Sequence, residues 1–316
     1  MQVSLPVYFG LPLIGMLSLA GLSAVGLVSD RLGYALLAIS ILFFGMPHGA
    51  MDIEVSRRMQ WWSDSLSFAK FCGLYLLGVA AVLAFCFFTP LLALGFFLVL
   101  TAWHWGTAES YFASQSRLLR AMVGMARGLV IVTAPIYFHP VESAQVLGGF
   151  VSWFGLENAS FAEHSSLLLA VLIVSYFTDF GFALYRCHVD ASSASKLFAL
   201  EALCLPFFFA LTPPITAVAF YFVCVHAYRH LLRLTASSQS ESHLMRQAKR
   251  IFQAHGRVMW AALLPMAPLV FILAWRSQVS PAEVTGIYLV LLFSLTVPHA
   301  FIISWLDQRE LCRQHY

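Results

Sequence analysis

The chain has 316 residues, 60% of them hydrophobic and only 10% charged, with a formal net charge of +3 and a mean hydropathy of +0.80. A soluble domain carries about 25% charged residues, so this composition excludes a soluble globular fold and implies an integral membrane protein. The small positive surplus is accounted for by topology and gives no signal for nucleic acid.

Each membrane span needs about 20 apolar residues. About ten such runs follow one another, at roughly 7–28, 34–51, 68–89, 91–112, 121–138, 164–185, 197–211, 214–232, 258–275 and 284–306. The expected fold is all-α: a polytopic transmembrane helix bundle forming a single integral-membrane domain over residues 1–316. The opening MQVSLP lacks the basic segment of a cleavable signal, so the first apolar run is expected to be retained as a helix. The second and seventh runs are short for a span. The six cysteines (Cys72, Cys86, Cys187, Cys204, Cys224, Cys312) form no CxxC pair and read as reduced packing residues.

Basic residues sort between alternate connections. Arg57, Arg58, Lys70, Arg117, Arg120, Arg127, Arg186, Lys196, Arg229, Arg233, Arg246, Lys249, Arg250, Arg257, Arg309 and Arg313 fall on one side, 16 of the 18. Arg31 and Arg276 fall on the other, whose longest loop, after Pro140, is acidic. The positive-inside rule then places the larger set and both termini in the cytoplasm. Residues 236–257, a polar loop running into a basic amphipathic segment, read as a helix on the membrane surface.

This topology gathers the buried histidines. His48 lies in GMPHGAMD, His104 in TAWHWGTAE, His226 and His230 in VHAYRH, and His299 in TVPHAF. Their spans (the second, fourth, eighth and tenth) all run toward the cytoplasm. Each histidine precedes the cytoplasmic end of its span by roughly 4–9 residues, or about 5–15 Å of depth. Imidazole in hydrocarbon is costly unless paired, so five at one depth read as a site, and imidazole suits iron, copper or zinc. His139 and His164 fall at the opposite face, and His188, His243, His255 and His315 in or beside cytoplasmic segments.

Each motif also has a plainer reading. The i, i+4 spacing of His226 and His230 puts both on one helical face as a metal clamp, or else His230 marks the interface beside Arg229 and Arg233. Pro47 and Pro298 precede histidines and either aim them at a common centre or simply kink ordinary membrane helices. Asp52 and Glu109 are placed either to orient ligating imidazoles or to end their spans as boundary acids. Asp179 and Glu201 lie deeper, without a basic neighbour in sequence, and either support the site or bond locally. The 28 Phe, 11 Tyr and 8 Trp crowd the histidine spans. Among them Trp103, Trp105, Phe220, Tyr221 and Tyr228 are candidates to line an apolar tunnel.

The ordered set GMPHGAMD, HWGTAE, HAYRH and a late PHA on about ten spans resembles the Brp/Blh family of bacterial β-carotene dioxygenases. The resemblance implies cleavage of the central double bond of β-carotene with O2 to give two retinal molecules, at non-haem Fe(II) held by histidine. Carried over motif by motif, the ligands are His48, His104, His226 and His230, with His299 a fifth ligand or a supporting group. It further implies an integral protein of the bacterial cytoplasmic (inner) membrane that takes its substrate from the lipid bilayer, with a retinal-using rhodopsin as a possible recipient. The first motif departs from the pattern by continuing MDIE, which bears on the surroundings of the ligands.

Two other readings fit parts of the pattern. A histidine-rich di-iron hydroxylase or desaturase needs about eight histidines in several HxxxH and HxxHH clusters, and this chain has one HxxxH and no HH pair. A metal- or haem-binding membrane protein without catalysis would also use facing histidines, with transport favouring a path rather than one layer. A rhodopsin is excluded, because Lys70, Lys196 and Lys249, the only lysines, all lie in or near loops.

Overall fold

Proline opens four of the helices, where its missing N–H costs nothing and its fixed φ is already helical. In a computed structural model, which describes residues 6–40, 49, 51–110, 116–156, 165–235, 271 and 280–313, these starts are Pro90, Pro140, Pro214 and Pro281. The helices in order are α1 (Leu11–Ala24, entered by a π turn at Pro6–Gly10), α2 (Asp30–Ile39), α3 (Asp52–Arg58), α4 (Ser65–Phe88) and α5 (Pro90–Glu109). They continue as α6 (Arg117–Phe138), α7 (Pro140–Ser152), α8 (Ser165–Val189), α9 (Ser193–Leu211) and α10 (Pro214–Tyr221). A π-helix at Phe222–Ala227 then leads into α11 (Tyr228–Thr235), and α12 spans Pro281–Arg313.

The protein is a multi-pass membrane helix bundle. Among the described residues, eight helical stretches are long and apolar enough to cross a membrane: Val7–Ala24, Ser65–Phe88, Pro90–Glu109, Leu118–Phe138, Ser165–Val189, Ser193–Leu211, Pro214–Arg233 and Pro281–Asp307. They coincide with eight of the ten expected runs. The seventh proves long enough, because the helix starts at Ser193 under a Ser192 cap. Half of the second run and nearly all of the ninth lie outside the described residues. Helix α4 turns Leu74, Leu76, Leu77, Phe87 and Phe88 outward, as suits contact with lipid chains.

Two compact units emerge from the packing, α5 and α7 each contributing to both. The first contains α1, α2, the C-terminal half of α5, α6, α8–α11 and the π segment. Its core holds Met16, Val130, Leu205, Phe208, Phe209, Tyr221 and Val225. Small residues let α5 and α6 touch backbone to backbone: a Cβ on Gly106 would lie 1.8 Å from the Gly124 carbonyl oxygen, and one on Gly128 would lie 1.7 Å from that of Ala102.

The second unit contains α3, α4, the start of α5, most of α7 and α12. Phe97, Phe150 and Phe293 cluster at its centre, and Gly149 crosses α12 at Gly286 and Ala282. The acidic connection after Pro140 was expected as loop. Its first half is instead helix α7, because Leu147, Phe150 and Val151 have a core to bury in.

Candidate metal centre

His104 sits in the last turns of α5 and His226 in the π segment, both buried in the first unit. A π segment widens the turn and re-aims side chains, and such segments frequently mark functional sites. The Trp105 ring fixes the place of His226. It stacks on that imidazole at 5.3 Å between centroids, and on Tyr221 and Phe222 at 5.9 and 5.7 Å.

The imidazoles of His104 and His226 face each other edge-on, centroids 5.1 Å apart at an interplanar angle of 72°. An ion bound about 2.1 Å from each nitrogen lies about 3.2 Å from each ring centre, so ligand angles of about 90–110° separate the centroids by about 4.5–5.2 Å. The pair fits two ligands of one ion. Among the described residues no group of three or more His, Cys, Asp or Glu stands in a metal-holding arrangement.

His230 is buried beyond His226, on α11. Its Nδ1 lies 3.3 Å from Nη2 of Arg233. A guanidinium only donates, so Nδ1 accepts here and the proton of a neutral ring rests on Nε2. Ligation by His230 therefore requires Arg233 to give up that contact.

Glu109, on the helix of His104, reaches a different histidine: its Oε1 lies 3.6 Å from His226 Nδ1. Its other oxygen accepts from Arg229. Arg229 also grips both oxygens of Glu201 and donates from Nε to the Tyr8 carbonyl at 3.0 Å. Arg127 then donates from Nε to both Asp179 oxygens at 3.1 Å and from Nη1 to Glu201 at 3.2 Å. Its guanidinium lies 3.8 Å over the Phe198 ring. Asp179 and Glu201 thus bond into an ionic chain that contacts His226 through Glu109.

Arg127 and Arg229 were expected among the cytoplasmic loop charges, and their burial inside spans corrects that reading. Both are satisfied by carboxylates from other helices, which removes the need for an aqueous end. An arginine inside AMVGMARGLVIV was the available signal for a buried partner.

In the second unit His299 Nδ1 lies 2.7 Å from Asp52 Oδ1. The Tyr75 hydroxyl donates to the other Asp52 oxygen at 3.1 Å. No sequence pattern singled out Tyr75. His48 lies outside the described residues, as do His164, His243, His255 and His315. His139 bonds the Phe209 carbonyl at 3.0 Å, and His188 is exposed.

The proposed lining residues divide. Trp105 and Tyr221 are buried in the stack beside His226, while Trp103 is exposed. Phe220 is half-buried, its ring tip over Gly15, and Tyr228 is tied to the Val7 carbonyl at 3.1 Å.

A family model described as β-carotene 15,15'-dioxygenase matches residues 39–307. A protein of Halobacterium salinarum named "Probable beta-carotene 15,15'-dioxygenase Blh" is 29% identical over 314 residues, covering 92% of this chain and 90% of its own. A "Beta-carotene 15,15'-dioxygenase" from uncultured marine bacterium 66A03 is 25% identical over 270 residues, covering 84% and 91%. No solved structure matches. The family match spans most of the sequence and includes every histidine motif, and the chain belongs to the β-carotene 15,15'-dioxygenase family.

Proposed function

We propose that this enzyme cleaves the central double bond of β-carotene with molecular oxygen, giving two molecules of retinal. The observation that carries the reading is the buried His104–His226 pair, at two-ligand spacing, inside a chain of this family. The reaction balances without a reductant: the carbon–carbon double bond breaks and each carbon takes one oxygen atom. No protein nucleophile and no proton donor enters that balance.

The proposed cofactor is Fe(II), with His48, His104, His226 and His230 as ligands by family motif and His299 as a further ligand or support. When bound, it supplies activation of oxygen at an open coordination position. The chain's own residues do the rest. Trp105 holds the His226 ring in plane by stacking. Aromatic side chains near the histidines offer the polyene an apolar path from the bilayer, and their fixed places decide which double bond is presented. The proposed setting is the bacterial cytoplasmic membrane with both termini inside, and a retinal-using rhodopsin is the proposed recipient.

The test is purified protein given β-carotene and isotopically labelled oxygen. Retinal carrying one label per molecule, absent in His104→Ala and His226→Ala, is the expected result. A carotene-accumulating host that stays yellow while holding folded, iron-loaded protein would remove the proposal.

A further inference from the structure

The ionic chain in the first unit has a direction. Five side chains interlock, all buried: Asp179, Arg127, Glu201, Arg229 and Glu109. Each guanidinium joins two carboxylates, Arg127 taking Asp179 and Glu201, Arg229 taking Glu201 and Glu109. Three carboxylates therefore share two guanidiniums, and the set carries one surplus negative charge. Arg233 is held separately at His230.

The surplus comes out at one end. Both oxygens of Asp179 face Arg127 and both of Glu201 face guanidiniums. Glu109 spends one oxygen on Arg229 and turns the other toward His226 Nδ1, 3.6 Å away. A buried surplus charge is costly unless a cation stands near it. A shell made only of neutral imidazoles leaves a divalent ion with its whole charge uncompensated, and the single surplus negative charge offsets half of it.

We propose that Glu109 is the counter-charge and positioning residue of His226, and that Glu201, acting through Arg229, holds Glu109 in that place. The carboxylate turns Nδ1–H toward itself and leaves the Nε2 lone pair for the ion. Glu201 touches no proposed ligand, yet it sets the geometry of one from a different helix. The inference rests on the metal reading above.

The experiment is titration of metal-stripped, full-length protein in detergent with cobalt(II), followed by the visible absorption of the bound ion. Glu109→Gln and Glu201→Gln are each expected to weaken binding by about 10–100-fold, and Glu109→Gln also to shift the spectrum. Glu109→Asp, which keeps the charge, recovers most of the affinity. Asp190→Asn, outside the chain of charges, binds as the unaltered protein does. Unchanged affinity and spectrum in folded Glu109→Gln would overturn the proposal while leaving the metal centre standing. Failure of the unaltered protein to take up cobalt or iron overturns the metal reading and this inference with it. Should Glu109→Gln not fold, Glu201→Gln carries the same test with Glu109 in place.

Discussion

His299 Nδ1 and the Asp52 carboxylate meet at 2.7 Å, both buried, with the Tyr75 hydroxyl on the second carboxylate oxygen. An ionised carboxylate only accepts, so Nδ1 carries the proton and a neutral ring keeps its lone pair on Nε2. Asp52→Ala should lower retinal formation by about 10–100-fold if that lone pair serves the reaction. Tyr75→Phe removes one hydrogen bond, worth about 1 kcal/mol, and should lower Tm with little loss of rate. A wild-type rate in folded Asp52→Ala would make the pair a packing feature only.

Arg127 should contribute strongly to stability. Arg127→Met strands Asp179 wholly and Glu201 partly inside the bundle, and breaking a buried pair from one side costs about 3–5 kcal/mol. Joint replacement of Arg127 and Asp179 by Met and Leu should recover much of that loss. Unfolding in detergent, followed by gel filtration against temperature, reads both variants.

The α5–α6 crossing tolerates no side chain. Gly128→Ala and Gly106→Ala force a methyl into backbone oxygen, and either should lower stability by at least about 1–3 kcal/mol or prevent assembly. Gly21→Ala and Gly73→Ala meet nothing within 4 Å and, lying inside helices, should leave Tm unchanged or raise it. Equal Tm across all four variants would contradict the packing described.

Arg233 restrains His230 through Nδ1. Arg233→Met removes the donor and a nearby positive charge, so cobalt affinity should rise, by up to about tenfold or 1.4 kcal/mol. A fall in affinity would show that Arg233 supports the centre.

At the start of α4, outside the membrane span, Asp64 caps the helix. The Ser67 amide, the Ser67 hydroxyl and the Leu66 amide hold its carboxyl below the usual range. A depressed value means the stabilisation is complete above the ordinary carboxylate range and is lost as pH falls through the folded value. The Tm gap between the unaltered protein and Asp64→Ala should therefore shrink on acidification. A gap that holds constant into acid would rule this out.

The sequence by itself determined the membrane class and most spans, and it singled out the histidines buried within them, because hydrocarbon enforces a local rule. A run of about 20 apolar residues spans, and a polar group within it needs a reason. That rule also picked out Glu109 and Asp52 as partners for imidazoles. It paired them by nearness in sequence, with His104 and His48; among the described residues the structure sets Glu109 against His226 and Asp52 against His299. Arg127 and Arg229 were counted as loop charges for the same reason: one sequence shows a cation's neighbours along the chain and not those across it. Only the tertiary structure decided that both are buried, that Tyr75 joins Asp52, and that three carboxylates share two guanidiniums. Those pairings join residues 23 to 247 positions apart. Helix packing chooses them, and no local periodicity records that choice.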